Sequence, residues 1–380
     1  MTYYIKADKF FYPSQTKMGG FLEVNEGKFG RHLEAVPEAA SVEDLTGYWI
    51  APGLVDTHVH GFENRDVMDA SPKVLETMSQ GLLKQGVTSW LPTALTADHA
   101  LLSRVCESIQ QVMGNQSGAK IRGLFFEGPY FTATHKGAQN PAYMTDPDLE
   151  EFRRWNEACQ GMIRKIALAP ERPGAEAFIR ALNEQGIAVA IGHSDASLKQ
   201  ALDAIDAGAS IFVHGFNGMS AFGHREPGMV GAMLSTANTY AELICDGHHV
   251  HPRAAKILLQ AKGAERTILI TDAMRAAGMP DGDYLLGEFT VGVKAGVARL
   301  KEGGSLAGSI LLLKDALKNI VDWGIATAEE AVMMATLTPA KSVGIEDCCG
   351  QIKEGHRADF IVLDKEMNLQ EVYLEGEKVG

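Results

Sequence analysis

Eight short β-rich apolar runs, each ending at or just before a polar residue or a glycine, restrict the possible folds of this chain more than any other feature. They are Ile50–His58, Val87–Thr93, Ile121–Glu127, Ile163–Pro170, Ala188–His193, Ile211–His214, Ala241–Asp246 and Thr267–Asp272. Helical periodicity fills most of the intervals, for example Pro72–Gln85, Ala97–Met113, Ala175–Gln185, Leu198–Ala207 and Pro252–Ala261. A strand-to-strand spacing of roughly 20–40 residues is the size of a βα unit. Eight such units close a (β/α)8 TIM-type barrel. An open doubly wound sheet competes, but it calls for a Gly-rich phosphate turn after the first strand. Here that place holds His58 and His60.

The two ends read differently. Residues 1–49 and 345–380 carry short alternating strands and turns such as Gly19-Gly20 and Glu26-Gly27. Neither piece is large enough to bury a sheet face alone. The expectation is a small β-sandwich domain built from both termini, beside a barrel spanning residues 50–344.

Five of the eight runs end in residues that bind metals or move protons: His58/His60, Glu127, His193, His214 and Asp272. The C-terminal strand edge is where barrel enzymes place their chemistry. In an extended strand residues i and i+2 share a face, so His58 and His60 point the same way and can grip one divalent ion. Glu127 follows Leu124-Phe125-Phe126, where an unpaired carboxylate is costly to bury, so it calls for a cation, a metal or water. His193 and His214 each close an apolar strand; alone, either reads as a hydrogen-bonded core histidine. Two imidazoles and a carboxylate together make a metal set with a position left for water. Asp272 reads either as a helix N-cap or as the proton carrier beside that water. A bound metal lowers the pKa of water from about 15.7 towards 7.

Two loops point to an anionic ligand. Arg225, after the sixth run, and a histidine of Asp246-Gly-His-His-Val-His251, after the seventh, suit a phosphate through charge-assisted hydrogen bonds; a second metal site at the three histidines is the lesser alternative, since their spacing lacks carboxylate support. A surface ion pair is the plain alternative for Arg225. The loop from His135 to Pro141 either supplies donors to a substrate carbonyl or is simply a turn.

The net charge of -13 disfavours nucleic acid or an anionic membrane surface as partner, while a small anion responds to local cations. No apolar run approaches the ~18–20 residues of a membrane span. The first residues lack the pattern of a signal peptide, so a cytoplasmic location is expected. The five cysteines, with no CxxC pair, are expected to be reduced.

The assembled motifs resemble the amidohydrolase superfamily and, within it, the N-acetylglucosamine-6-phosphate deacetylase family. The resemblance runs through Pro52-Gly-Leu-Val-Asp56 with the histidine pair, Phe126-Glu-Gly-Pro129, Lys136-Gly-Ala-Gln-Asn-Pro141 and Ala190-Ile-Gly-His-Ser194. It continues through His214-Gly-Phe-Asn-Gly-Met219, Arg225-Glu-Pro-Gly228, Asp246-Gly-His-His-Val250, Thr271-Asp-Ala273 and Leu306-Ala-Gly-Ser309. It implies hydrolysis of the acetamide of N-acetylglucosamine 6-phosphate to glucosamine 6-phosphate and acetate, with one or two divalent ions per subunit, Zn2+ or Fe2+. Glu127, His193 and His214 would hold the main ion; His58, His60 and a bridging Glu127 would hold a second. Superfamily members that bridge with a carboxylated lysine carry it at the end of strand four, which here reads Ala167-Leu-Ala-Pro-Glu171. Asp272 would be the general acid/base. Arg225, His249 and the Asn217-Gly218 backbone would hold the phosphate, with Leu306 among the substrate-binding residues. His249 would come from the neighbouring subunit of a homodimer. Gln139 stands where some members carry the carbonyl-polarising histidine, so Gln139 and His135 compete for that duty. The 4-epimeric N-acetylgalactosamine 6-phosphate, a cyclic-amide substrate and a catalytically silent binding role are the competing readings.

Overall fold

The computed structural model describes residues 2–380. All eight expected barrel strands form, as Leu54–Val59, Val87–Ala94, Leu124–Glu127, Ile163–Leu168, Ala188–Ile191, Ile211–Phe212, Tyr240–Ile244 and Thr267–Ile270. Each pairs with the next in parallel. A parallel bridge between Val59 and Ala273 joins the last strand edge to the first and closes the ring. The helices Pro72–Lys84, His99–Val112, Ala175–Asn183, Leu198–Ala207 and Pro252–Lys262 lie within a residue or two of the periodic stretches.

Strand alternation builds two apolar layers. In Leu124-Phe125-Phe126-Glu127, Leu124 and Phe126 join the large cluster beneath the helices, while Phe125 joins Val55, Leu91, Ala167, Ala190 and Ile211 in a second cluster. Both layers are fully buried, which is why these strands read as continuous apolar runs.

The run Ile50–His58 is two strands. Val42–Pro52 belongs to the terminal sheet, where Ile50, Ala51 and Pro52 pair with Val362, Ile361 and Phe360. The barrel strand starts only at Leu54. Gly53 makes the break: its N–H bonds to the Asp359 carbonyl, and a Cβ there would collide with the Thr88 side chain. The terminal strands make one eight-stranded sheet, with Phe360–Leu363 antiparallel to Val42–Pro52 and Thr2–Phe11 parallel to its other side. Its own cluster draws Ile5, Phe10, Leu22 and Val24 from one end of the chain and Ile352, Phe360 and Tyr373 from the other. A further antiparallel sheet, Gly282–Leu286, Phe289–Lys294 and Val297–Leu300, was not anticipated. It follows the eighth barrel strand and lends Leu286 to a cavity at the barrel mouth.

Among the described residues, no helix is long and apolar enough to cross a membrane. All five cysteines are free, four of them buried.

Candidate active site

Four imidazoles and two carboxylates meet at the C-terminal mouth of the barrel. Glu127 Oε1 lies 3.0 Å from His214 Nε2, 3.3 Å from His193 Nε2 and 3.4 Å from His58 Nε2. Its other oxygen lies 3.3 Å from His60 Nε2. One carboxylate therefore touches both halves of the centre. Asp272 Oδ1 stands 3.2 Å from His60 Nε2 and 3.5 Å from His58 Nε2. Two groups have the compactness of ligand sets, Glu127/His193/His214 and His58/His60/Asp272, so Asp272 joins the candidate ligands as well as the proton carriers.

The backbone sets these directions. Asp56 pairs with Trp90 and Val59 with Pro92, a bulge just where the strand delivers His58 and His60. His193, His214 and Asp272 all have positive φ, at 45°, 28° and 50°. Non-glycine residues adopt that region at a cost, and they do so mainly where surrounding contacts hold a functional side chain in place. Gly218, at φ +60°, packs so close that a Cβ would stand 3.1 Å from His193 Nδ1.

Each histidine is anchored through Nδ1. His60 bonds to the Thr93 carbonyl at 3.0 Å, His193 to the His135 carbonyl at 2.8 Å and His214 to the Asn217 carbonyl at 3.1 Å. His58 differs: its Nδ1 meets the Glu242 carboxylate at 3.0 Å. A proton on each Nδ1 leaves four Nε2 lone pairs facing inward, the tautomer that metal-binding histidines use. Two imidazole nitrogens about 2.0–2.1 Å from one tetrahedral ion stand about 3.3 Å apart. The His58/His60 and His193/His214 pairs have Nε2 separations of 3.2 and 3.0 Å. The residues fit a divalent cation.

The field agrees with the geometry. Burial opposes charge on His58 and His60, but Asp272, Glu127 and, for His58, Glu242 raise them to about 9 and 10. Burial likewise pushes Glu127 up, yet the surrounding histidines hold it well below the usual carboxylate range. A pocket that pulls this strongly on positive charge suits a cation.

A cavity of about 220 Å³ opens over the centre. His60, Glu127, His193, His214 and Asp272 form part of its wall, with Gln139, Asn217, Gly218, His249 and Leu306. Gln139 Nε2 donates to Glu127 Oε2 at 2.5 Å, and its Oε1 accepts from the Thr96 N–H. The His135 ring turns to Asp195 at 3.0 Å and stays out of the cavity wall. Of the two competitors, only Gln139 reaches the cavity. His249, expected in the neighbouring subunit's site, lines the cavity of its own chain because Asp246 clamps its ring at 2.6 Å. Arg225 is exposed and outside the wall, in a loop beside Phe222, itself 62% exposed.

Sequence reasoning missed the layer beneath. Asp56 accepts from Thr271 Oγ1 at 2.6 Å, tying the first strand to the eighth. Lys165 and Glu242 form an ion pair with both side chains fully buried. Burial works against the Glu242 charge, but Lys165 and His58 outweigh it and hold the carboxyl at about 2. The available signal was a charged residue inside each of two apolar strands, Ile163-Arg-Lys-Ile-Ala-Leu168 and Tyr240-Ala-Glu-Leu-Ile244.

Such a centre at the mouth of a parallel barrel defines a hydrolase that works through bound metal. The chain belongs to the amidohydrolase family, whose model matches residues 49–379. It is 42% identical to the N-acetylgalactosamine-6-phosphate deacetylase of Escherichia coli O157:H7, over 91% of each chain. It is 41% identical to the N-acetylglucosamine-6-phosphate deacetylase of Vibrio furnissii, over 92% of this chain and 86% of that one. A mutant N-acetyl-D-glucosamine-6-phosphate deacetylase of Mycobacterium smegmatis, solved with N-acetyl-D-glucosamine 6-phosphate, superposes with a TM-score of 0.94 at 32% identity, covering 99% of both chains.

Proposed function

We propose that the protein hydrolyses the acetamide of N-acetyl-D-glucosamine 6-phosphate, releasing acetate and D-glucosamine 6-phosphate. The observation that carries this reading is the convergence of Glu127, His193, His214, His58, His60 and Asp272 on one centre, beneath a cavity that also holds phosphate-type donors. Glu127, His193 and His214 would hold one divalent ion, and His58 and His60 with the shared Glu127 would hold a second; Zn2+ and Fe2+ both suit imidazole and carboxylate donors. Such an ion supplies a nucleophile from water at neutral pH and polarises the amide carbonyl. Asp272 accepts the proton released at the attacking water and returns it to the leaving amine nitrogen. The Gln139 amide orients the scissile carbonyl, and the Asn217–Gly218 segment with His249 receives the phosphate.

Arg225 completes the phosphate site from a second copy of the chain. Its exposure next to the uncovered Phe222 ring supports a homodimer in which this loop crosses to the neighbouring cavity. Residues 1–52 with 345–380 act as the supporting β-domain and 54–344 as the catalytic barrel of an enzyme working in the cytoplasm.

The E. coli relative favours a second reading, N-acetylgalactosamine 6-phosphate, because 42% and 41% identity do not separate the two activities. Acetate release from both 6-phosphates, with the unphosphorylated sugars as controls, tests the proposal. The glucosamine epimer is expected to show the higher kcat/KM. Preference for the galacto epimer moves the assignment to the second reading, and no acetate from either ends both.

A further inference from the structure

The four histidines of the centre are not held alike. Three donate Nδ1–H to backbone carbonyls, whereas His58 alone is held by a carboxylate, Glu242. That carboxylate is fully committed. Its Oε2 also accepts the His214 backbone N–H at 3.2 Å, and its Oε1 takes the Lys165 ammonium. Lys165 in turn lies 3.7 Å above the Phe125 ring, against which the His58 imidazole packs edge-on at 4.9 Å. All four side chains are buried, and the contacts run in a closed circuit from Lys165 through Glu242 and His58 to Phe125.

An ion pair sealed inside a barrel is a poor source of stability, because desolvation offsets its attraction. Apolar replacement of such a pair is often neutral or stabilising, so stability is a weak explanation for Lys165 and Glu242. Their chemistry does. A carboxylate on Nδ1 makes the opposite nitrogen a stronger donor than a carbonyl does, and it fixes the ring plane. The lysine holds that carboxylate in place through their ion pair.

We infer that Lys165 and Glu242 are positioning residues whose joint role is to secure the cation on the His58/His60 side of the shared Glu127, rather than the ion on the His193/His214 side. This rests on the metal-centre reading proposed above. The pair supports the His58 ring through Nδ1, and its link to the other side is to the His214 backbone N–H, not to that imidazole. It makes the occupancy of the two positions separable, because the His58 imidazole depends on a charged support that the His193 and His214 imidazoles lack.

Chelator-buffered Zn2+ titration of the metal-stripped protein, with metal counted by elemental analysis, tests this without reference to turnover. Wild type is expected to fill in two steps, and His60→Gln identifies the step belonging to the His58 side. Glu242→Gln, which keeps the shape and removes the charge, should weaken that step by about 10- to 100-fold and leave the other within about twofold. The double variant Lys165→Met/Glu242→Leu, which leaves no unpaired charge in the core, should retain the fold by circular dichroism and show the same selective loss. Lys165→Arg should largely restore wild-type binding. An unchanged two-step titration in folded Glu242→Gln overturns the inference, as does equal weakening of both steps. A wild type that binds one ion and still deacetylates overturns it too, while leaving the proposed function standing.

Discussion

Asp272 Oδ1 lies 3.2 Å from His60 Nε2, on a residue held at φ 50° by a hydrogen bond from its own N–H to the His58 carbonyl. The eighth strand thereby brings its terminal carboxylate against the histidine pair of the first. Asp272→Asn keeps the shape and abolishes proton transfer. Turnover should fall by at least about 100-fold, the scale of general acid–base catalysis. Elemental analysis should still find metal in the variant, because Glu127, His193 and His214 are untouched. Wild-type turnover in the metal-loaded variant would refute the proton-transfer role.

Removing the metal with a chelator should abolish acetate release, and adding Zn2+ or Fe2+ should restore it. The four inward Nε2 atoms and Glu127 offer no comparable nucleophile without an ion. Activity that survives stripping, with metal below one-tenth equivalent by elemental analysis, would rule out the metal-dependent reaction.

Arg225→Ala should raise KM for the 6-phosphate about 10- to 100-fold with kcat nearly unchanged, the pattern of lost uniform binding. That range corresponds to the ~1.5–3 kcal/mol of a hydrogen bond to a charged group. Mixing Arg225→Ala subunits with inactive Asp272→Asn subunits checks the subunit assignment. If Arg225 acts across the interface, mixed dimers pair an intact Asp272 with a partner's intact Arg225, so low-KM activity should reappear.

Lys262 gives a pH dependence remote from the metal centre. Burial, with Arg266 adding to it, depresses its pKa to about 8, while its ammonium donates to the Thr236 carbonyl and Thr239 Oγ1. Between pH 8 and the unfolded-state value near 10.4, the unfolded chain holds more proton on this lysine than the folded one, so its contribution to stability rises with pH across that window. Lys262→Met removes this contribution. Urea midpoints from pH 7.5 to 10.5 should show a more positive slope for wild type than for the variant, and parallel slopes would count against the depressed pKa.

Trp155 is fully buried, with Phe126 edge-on at 5.2 Å and His99 stacked at 5.2 Å. Trp155→Ala should destabilise the protein by about 3–5 kcal/mol in denaturant titration. A loss below about 1 kcal/mol would mean that the helix Leu149–Ala158, which carries Trp155, does not anchor the third barrel strand.

The barrel and the inner shell of its site were legible in the amino-acid sequence because both are written locally. Each strand is a short apolar run, and the ligand-type residue stands at its end, so reading the runs was enough to find His58, His60, Glu127, His193, His214 and Asp272. Only the tertiary structure decided the rest. It split Ile50–His58 at Gly53, turned the His135 ring to Asp195, gave the cavity to Gln139 and placed His249 in its own chain's site. It also joined Glu242 to His58 across 184 positions and set Lys165 behind them. The physical reason is that a side chain's direction follows bulges, positive-φ turns and partners distant in sequence. Local periodicity specifies which face of a strand is buried, but it carries no information about which neighbour waits there.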